Sequence, residues 1–385
     1  MEAGSTGKLR VEILGKSMEE LRAWMAALGQ PAYRGTQIYH AIYAERRFAF
    51  ASMSSLPATL RERLAREATI TLPQVARAYH SADGCARYLL PLAPDPSGGP
   101  GARVSAATVE AVFMPSEGRQ TICISTQAGC AVDCKFCLTA TLGLVRNLTA
   151  GEIVAQVLVA LEENRAHLAP RTNVVLMGQG EPLLNYNPVM AAVRILLDPN
   201  ALALSPKHVT LSTSGIVPGI ERLAQEKVRP KLAISLNASN DEQRERIMPI
   251  NRKYPLAVLL AACRRYPLRP WERLTFEYVM LGGVNDAPED ARRVVRLLNG
   301  LRAKVNLIPW NPGELPFEPP ASSRVEEFRR ILAERDVPVF VRYSRGQDIY
   351  AACGQLAVIE AAPLSTPQAI TAQPAADSPG RPTAA

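Results

Sequence analysis

Histidine and cysteine are scarce in this chain, with four and seven among 385 residues. No apolar run approaches the length of about 20 residues that a membrane helix requires, so a membrane span is excluded. The opening Met1-Glu2-Ala3-Gly4-Ser5-Thr6 lacks the basic and apolar regions of a signal peptide. A cytoplasmic protein with reduced thiols is predicted, which disfavours a structural disulfide framework. No G-x-G-x-x-G opens a helix after the first strand of the βα pattern, so a dinucleotide-binding fold fits poorly. His40, His80, His167 and His208 stand apart and form no metal set by spacing. What is plentiful is apolar residues, at 47%, enough for a sizeable core. A net charge of +8 favours a polyanionic partner without naming one.

Against that scarcity, three cysteines fall within eight residues, Cys130-Ala131-Val132-Asp133-Cys134-Lys135-Phe136-Cys137. Structural zinc takes four ligands, commonly from paired C-x-x-C units, and no second pair exists here. Three thiolates can hold three corners of a four-iron cluster and leave one iron open for a small chelating ligand. A zinc-binding, RNA-binding protein without catalytic activity is the alternative reading of the same residues.

Along the chain, the first 85 residues read as a helical module. Ser17 and Glu20 form a capping box before Leu21, Trp24, Met25 and Leu28, and Gly29 ends the helix. A second helix is predicted from Tyr33 to Tyr43 and a third after Leu56-Pro57. Arg34, Arg46, Arg47, Arg61, Arg63 and Arg66 lie among them, either as a solvated face or as an anion-binding one. Residues 86–115 read as a hairpin, Arg87–Leu90 with Val109–Phe113, around a Pro- and Gly-rich loop from Pro91 to Gly101. From 116 to 358, six apolar runs beginning near Thr121, Asn173, His208, Lys231, Thr275 and Lys304 alternate with helical patterns. This predicts an α/β fold, a partial (β/α)6 barrel with its site at the carboxyl ends of the strands. Residues 363–385, rich in Ala, Pro, Ser and Thr, are expected to be a disordered tail.

The cysteine spacing, with Phe136 before the last cysteine, resembles the radical S-adenosylmethionine (SAM) superfamily. Beyond it, Arg146–Ile153, Met248–Asn251, Gly283–Asp286, Lys304–Pro312 and Arg345–Leu356 resemble the bacterial radical SAM adenine-C2 RNA methyltransferases, over roughly residues 15 to 358. That resemblance implies methylation of C2 of adenosine in 23S ribosomal RNA and transfer RNA, with one 4Fe-4S cluster on Cys130, Cys134 and Cys137. It also implies two SAM per turnover, a low-potential electron donor such as flavodoxin, and RNA contact by the N-terminal helices. A sister activity at C8 of the same ribosomal adenine shares these features and is the nearer alternative.

Residue by residue, the resemblance implies that Cys353 carries the methyl group and that Cys123 resolves the covalent RNA adduct, closing a Cys123–Cys353 disulfide. A depressed thiol pKa would serve both roles. Glu110 matches a proposed proton acceptor, with an exposed hairpin carboxylate as its bland reading. Gly180 and Glu181 match a SAM-binding segment, and Ser212, Ser235, Leu236, Asn237 and Asn311 match further SAM contacts. The family commonly has histidine where this chain has Asn237, which puts any side-chain role there in doubt. Cys85 and Cys263 match no catalytic position and are read as structural.

Overall fold

The structure, a computed structural model, describes residues 10–93 and 107–357. Most of the Pro- and Gly-rich loop and the whole of the 363–385 tail lie outside the described residues.

Three helices open the chain: α1 (Met18–Ala27), α2 (Tyr33–Tyr43) and α3 (Ala58–Glu67). The Ser17–Glu20 capping box forms as expected, satisfying free amides of the first turn, and Gly29 takes the left-handed φ of +70° that ends α1. Short strands β1 (Val11–Glu12) and β2 (Ala68–Thr69) pair in parallel across this helical module.

The rest is built on one ten-stranded sheet. Its antiparallel part is β3 (Arg77–His80), β4 (Ala86–Pro91) and β5 (Thr108–Ser116), which joins β6 (Arg119–Cys123) through the Val112–Cys123 register. After β6 the chain makes a small ribbon, β7 (Gln127–Gly129) with β8 (Leu144–Asn147), and enters α4 (Ala150–Glu163). Parallel strands then alternate with helices: β9 (Arg171–Leu176), α5 (Tyr186–Leu197), β10 (Val209–Thr213), α6 (Val217–Ala224) and β11 (Lys231–Ser235). They continue through α7 (Asp241–Ile247), α8 (Leu256–Arg265), β12 (Leu274–Met280), α9 (Pro288–Leu298), β13 (Ala303–Pro309), α10 (Ser322–Ala333) and β14 (Val339–Val341). The six expected parallel strands are present in sequence order, and β14 adds a seventh that the sequence reading missed.

Alternation along the strands separates two faces. Ile122, Val174, Leu211, Ile234, Phe276 and Val305 are buried against the helices, whereas Thr121, Ser212, Ser235, Lys304 and Asn306 are half-buried on the concave face. The N-terminal helices share this core: Leu21, Ile38, Tyr43 and Leu64 belong to the same apolar cluster as Ile153 and Val157 of α4. Gly15 and Gly151 let the two segments touch, since a Cβ on Gly15 would lie 2.2 Å from the Gly151 amide nitrogen.

Candidate active site

At the carboxyl ends of the parallel strands lies a cavity of about 170 Å³ that opens to solvent. The loop between β7 and β8 brings Cys130, Cys134 and Cys137 into its wall. Asp133 sits at φ +60° to make the turn between the first two, a conformation that aspartate tolerates better than most residues. Cys130 N donates to Gly143 O at 2.8 Å and Cys137 N to Cys134 O at 3.1 Å, which fixes the loop. Beneath it, Phe136, Ala238, Ile247, Met248, Leu281 and Trp310 form an apolar bed. Desolvation pushes the Cys130 thiol up to about 12 and raises Cys134 and Cys137 as well, and Cys134 also feels the other two. Among the described residues no three His, Cys, Asp or Glu side chains converge as ligands of a single metal ion. Zinc at about 2.3 Å from each sulfur would demand that convergence. Three thiols in the wall of one cavity instead suit the corners of a larger iron-sulfur cluster.

The strand exits contribute the remaining wall. Gly180, at φ +96°, packs against Gln127, whose Cβ lies 2.5 Å from where a Gly180 Cβ would stand. Gln127 Oε1 accepts the Glu181 amide at 2.8 Å. Glu181 is buried, accepting amides from Leu183 at 3.0 Å and Ser214 at 2.6 Å, and burial raises its pKa. Ser212, Ser235, Asn237, Asn311 and Cys353 line the same cavity. Asn237 occupies the left-handed region at φ +53°, and its Oδ1 accepts the Val279 amide at 2.8 Å. Asparagine and histidine both enter that region more readily than most residues. Leu236 does not reach the cavity: its side chain is fully buried in the core, its amide donates to Glu277 O, and its carbonyl accepts from Arg244 Nε.

Cys353 is solvent-accessible in the cavity wall, on a segment that crosses the strand ends. Gly354, at φ +81°, allows close passage over the cysteine loop, where a Cβ would lie 3.3 Å from Phe136 O. Leu138 N donates to Gly354 O at 2.7 Å and Thr139 Oγ1 to Leu356 O at 2.6 Å. Cys123 is buried at the end of β6, outside the cavity lining but within electrostatic reach of Cys353. The low thiol pKa expected for this pair is not found. Desolvation pushes Cys353 up to about 11 and raises Cys123 further, because no cation faces either sulfur closely enough to offset burial. Both are free thiols, so the disulfide implied by the resemblance is not formed in this state. Cys85 and Cys263 are buried.

Glu110 is neither exposed nor in the cavity wall. It is fully buried in β5, with Arg87 Nη1 at 2.5 Å from Oε1 and Gln179 Nε2 at 3.1 Å from Oε2. Two buried residues at the site escaped the sequence reading. Glu277, in β12, lies in register between Ser235 and Asn306 and lines the cavity. Asn306 Nδ2 donates to its Oε1 at 2.9 Å, and burial pushes its pKa up to about 7. Arg244, fully buried, donates to the carbonyls of Ser214 at 2.6 Å, Ser235 at 3.0 Å and Leu236 at 3.1 Å, tying two strand exits together.

A thiol triad in a pocket at the open end of a partial βα barrel defines a radical SAM enzyme, and residues 124–297 match the model of the Radical SAM superfamily. Residues 11–70 match the ribosomal RNA large subunit methyltransferase N-terminal domain. The chain is 48% identical over 359 residues to a probable dual-specificity RNA methyltransferase RlmN of Koribacter versatilis, covering 89% of this chain and 100% of that one. It is 48% identical over 347 residues to the dual-specificity RNA methyltransferase RlmN of Anaeromyxobacter dehalogenans, covering 88% and 90%. A radical SAM methyltransferase from Sphaerobacter thermophilus superposes with a TM-score of 0.82 at 43% identity, covering 90% of this chain and 99% of that one. The protein belongs to the RlmN family of radical SAM RNA methyltransferases.

Proposed function

We propose that the protein methylates C2 of adenosine in 23S ribosomal RNA and in transfer RNA, in the cytoplasm, with Cys353 as methyl carrier. The observation that carries this reading is the presence of Cys353 in the wall of the cavity that also presents Cys130, Cys134 and Cys137. Adenine C2 is an sp2 carbon with little nucleophilicity, so a direct polar methylation is disfavoured and a carbon radical held on the protein supplies the alternative.

One 4Fe-4S cluster on Cys130, Cys134 and Cys137, with SAM bound beside it, would supply a 5′-deoxyadenosyl radical after reduction by a one-electron donor such as flavodoxin. Glu181 offers a carboxylate for the SAM ammonium group, next to a glycine that permits close approach. Ser212, Ser235, Asn237 and Asn311 supply polar contacts along the same wall. Cys353 takes a methyl group on sulfur from one SAM, presents it for hydrogen removal at the expense of a second, and becomes linked through that carbon to C2. The adduct radical loses the C2 proton and one electron, which the cluster would take back. The thiolate of Cys123, adjacent but outside the cavity, then displaces carbon from the Cys353 sulfur to form the disulfide, and the released carbanion takes a proton as the new methyl group. Of the two buried carboxylates, Glu277 lines the cavity, whereas Glu110 is set behind the wall and bonded to Gln179. Glu277 is therefore the better-placed acceptor for the C2 proton, and Glu110 a support for the Gly178–Glu181 turn.

Mass spectrometry of adenosines in RNA from a deletion strain complemented with this gene tests the reading. The expected product is 2-methyladenosine, lost with Cys353→Ala; 8-methyladenosine would assign the sister activity. Cys123→Ala should accumulate protein covalently joined to RNA, as a nuclease-sensitive band that disappears when Cys353 is also replaced by alanine.

A further inference from the structure

The N-terminal module, expected to grip RNA, has most of its arginines already engaged. Arg46 pairs with Glu162 at 3.1 Å, Arg47 with Glu45 at 2.7 Å and Arg63 with Glu67 at 3.0 Å, while Arg34 and Arg61 donate to the carbonyls of Ser55 and Ala51. Some exposed arginines elsewhere are similarly matched, as Arg265 is with Glu221 at 2.7 Å. A different set of cations has no ion pair among the described residues: Arg119, Arg171, Lys207, Lys231, Lys304 and Arg342.

Their placement is ordered by the sheet. Arg119 and Arg171 are in register at the starts of β6 and β9. Lys207 precedes β10, Lys231 opens β11 beside Thr210, Lys304 lies near the start of β13 beside Thr275, and Arg342 follows β14. Register and alternation put the strand-borne members on the concave face that carries Ser235 and Glu277. Most of these cations share one field: Arg171, Lys231 and Lys207 act on His208, Lys304 acts on Lys231, and Arg342 acts on Lys304. Among the described residues, two acids act on lysines of this row. Glu272 is engaged by Arg269 at 3.3 Å, and Glu277 is held by Asn306. Exposed aromatic rings are interleaved: Lys207 lies over Trp271 at 5.3 Å, and both Lys304 and Arg342 lie over Phe340, at 5.8 and 5.3 Å.

From β6 to β14 the row crosses six strand spacings, about 29 Å at ~4.8 Å each. A line of that length suits a linear polyanion rather than one phosphate, and its concavity cannot lie against a flat lipid surface. Aromatic faces among the cations favour a nucleic acid strand over an acidic peptide.

We propose that this cationic row holds the phosphates of the single-stranded RNA flanking the target nucleotide, running from the amino ends of β6 and β9 to Arg342 at the carboxyl end of β14, beside the cavity that the nucleotide enters. The proposal rests on RNA being the substrate. Arg171→Gln/Lys207→Gln/Arg342→Gln alters exposed positions only, so folding is not at stake. With three cations no longer neutralising phosphates of a single strand, RNA affinity should fall ~50-fold at about 0.15 M salt, and the slope of log affinity against log salt should flatten by about 2. SAM cleavage without RNA should not change, and the ion-paired control Arg265→Gln/Arg292→Gln/Arg324→Gln should bind like wild type. Lys231→Gln/Lys304→Gln should weaken RNA binding in the same direction without lowering the unfolding midpoint. Wild-type affinity and slope in the exposed triple variant overturn the proposal and leave the methyltransferase reading intact. A wild-type protein that binds no RNA overturns both. If the triple variant binds RNA normally but is reduced more slowly by an acidic electron-transfer protein, the row is a protein-docking surface and the proposal falls.

Discussion

Glu277 sets a pH dependence that a single substitution should expose. Burial raises its folded-state pKa from 4.5 to about 7, so between these values the native protein binds more protons than the unfolded chain. The sign follows: stability is fully present below about pH 4.5 and is lost as pH rises through 7, by on the order of 3 kcal/mol. Glu277→Gln mimics the protonated form and keeps an oxygen for Asn306. Its denaturant midpoint should match wild type near pH 5 and exceed it at pH 8. An unchanged difference across that range would remove Glu277 as a buried titrating group. Gly180→Ala should weaken SAM binding at least tenfold in equilibrium measurements, since the new Cβ meets Gln127 and the φ of +96° disfavours any side chain. Cysteine spacing made the thiol triad legible in the sequence. Glu277 was not, because Thr275-Phe276-Glu277-Tyr278 alternates without saying which face turns inward.

At the scale of elements, the strand exits are held in place by groups that a sequence reading assigns elsewhere. Arg244 belongs to the run Asp241-Glu242-Gln243-Arg244-Glu245-Arg246, which reads as a solvated charged helix, yet it is fully buried beneath the exits of β10 and β11. Arg244→Met should strand the Ser214, Ser235 and Leu236 carbonyls and cost about 3–5 kcal/mol in denaturant unfolding, with SAM affinity falling in parallel. Arg244→Lys should recover little, because one ammonium cannot span the carbonyls reached by the guanidinium. Helix starts such as Ser17–Glu20 and the six parallel strands were readable because capping and apolar period are local signals. The three-residue β14 carries too short a pattern to announce itself and depends on pairing with β13.

For the whole molecule, the segment bearing Cys353 is fastened at two distant places. Arg345 and Gly346 bind Asp83 in the β3–β4 turn, Ser81 Oγ donates to Asp348 at 2.6 Å, and Gly354 and Leu356 are held by the cysteine loop. Removing the cluster by chelation should loosen the second fastening, so limited proteolysis should cut between 342 and 357 faster in the metal-free protein than in the loaded one. Deleting residues 1–85 would strip the apolar partners of α4, so soluble truncated protein should be scarce, and RNA contacts there are better probed by substitution. The sheet itself runs from β14 to β3 and does not pair its two ends. A closed ring would admit a small molecule or a free chain end to its mouth. A half-ring leaves a side entrance through which a looped segment can be laid in without being threaded, so a single internal nucleotide can be modified in a chain anchored at both ends.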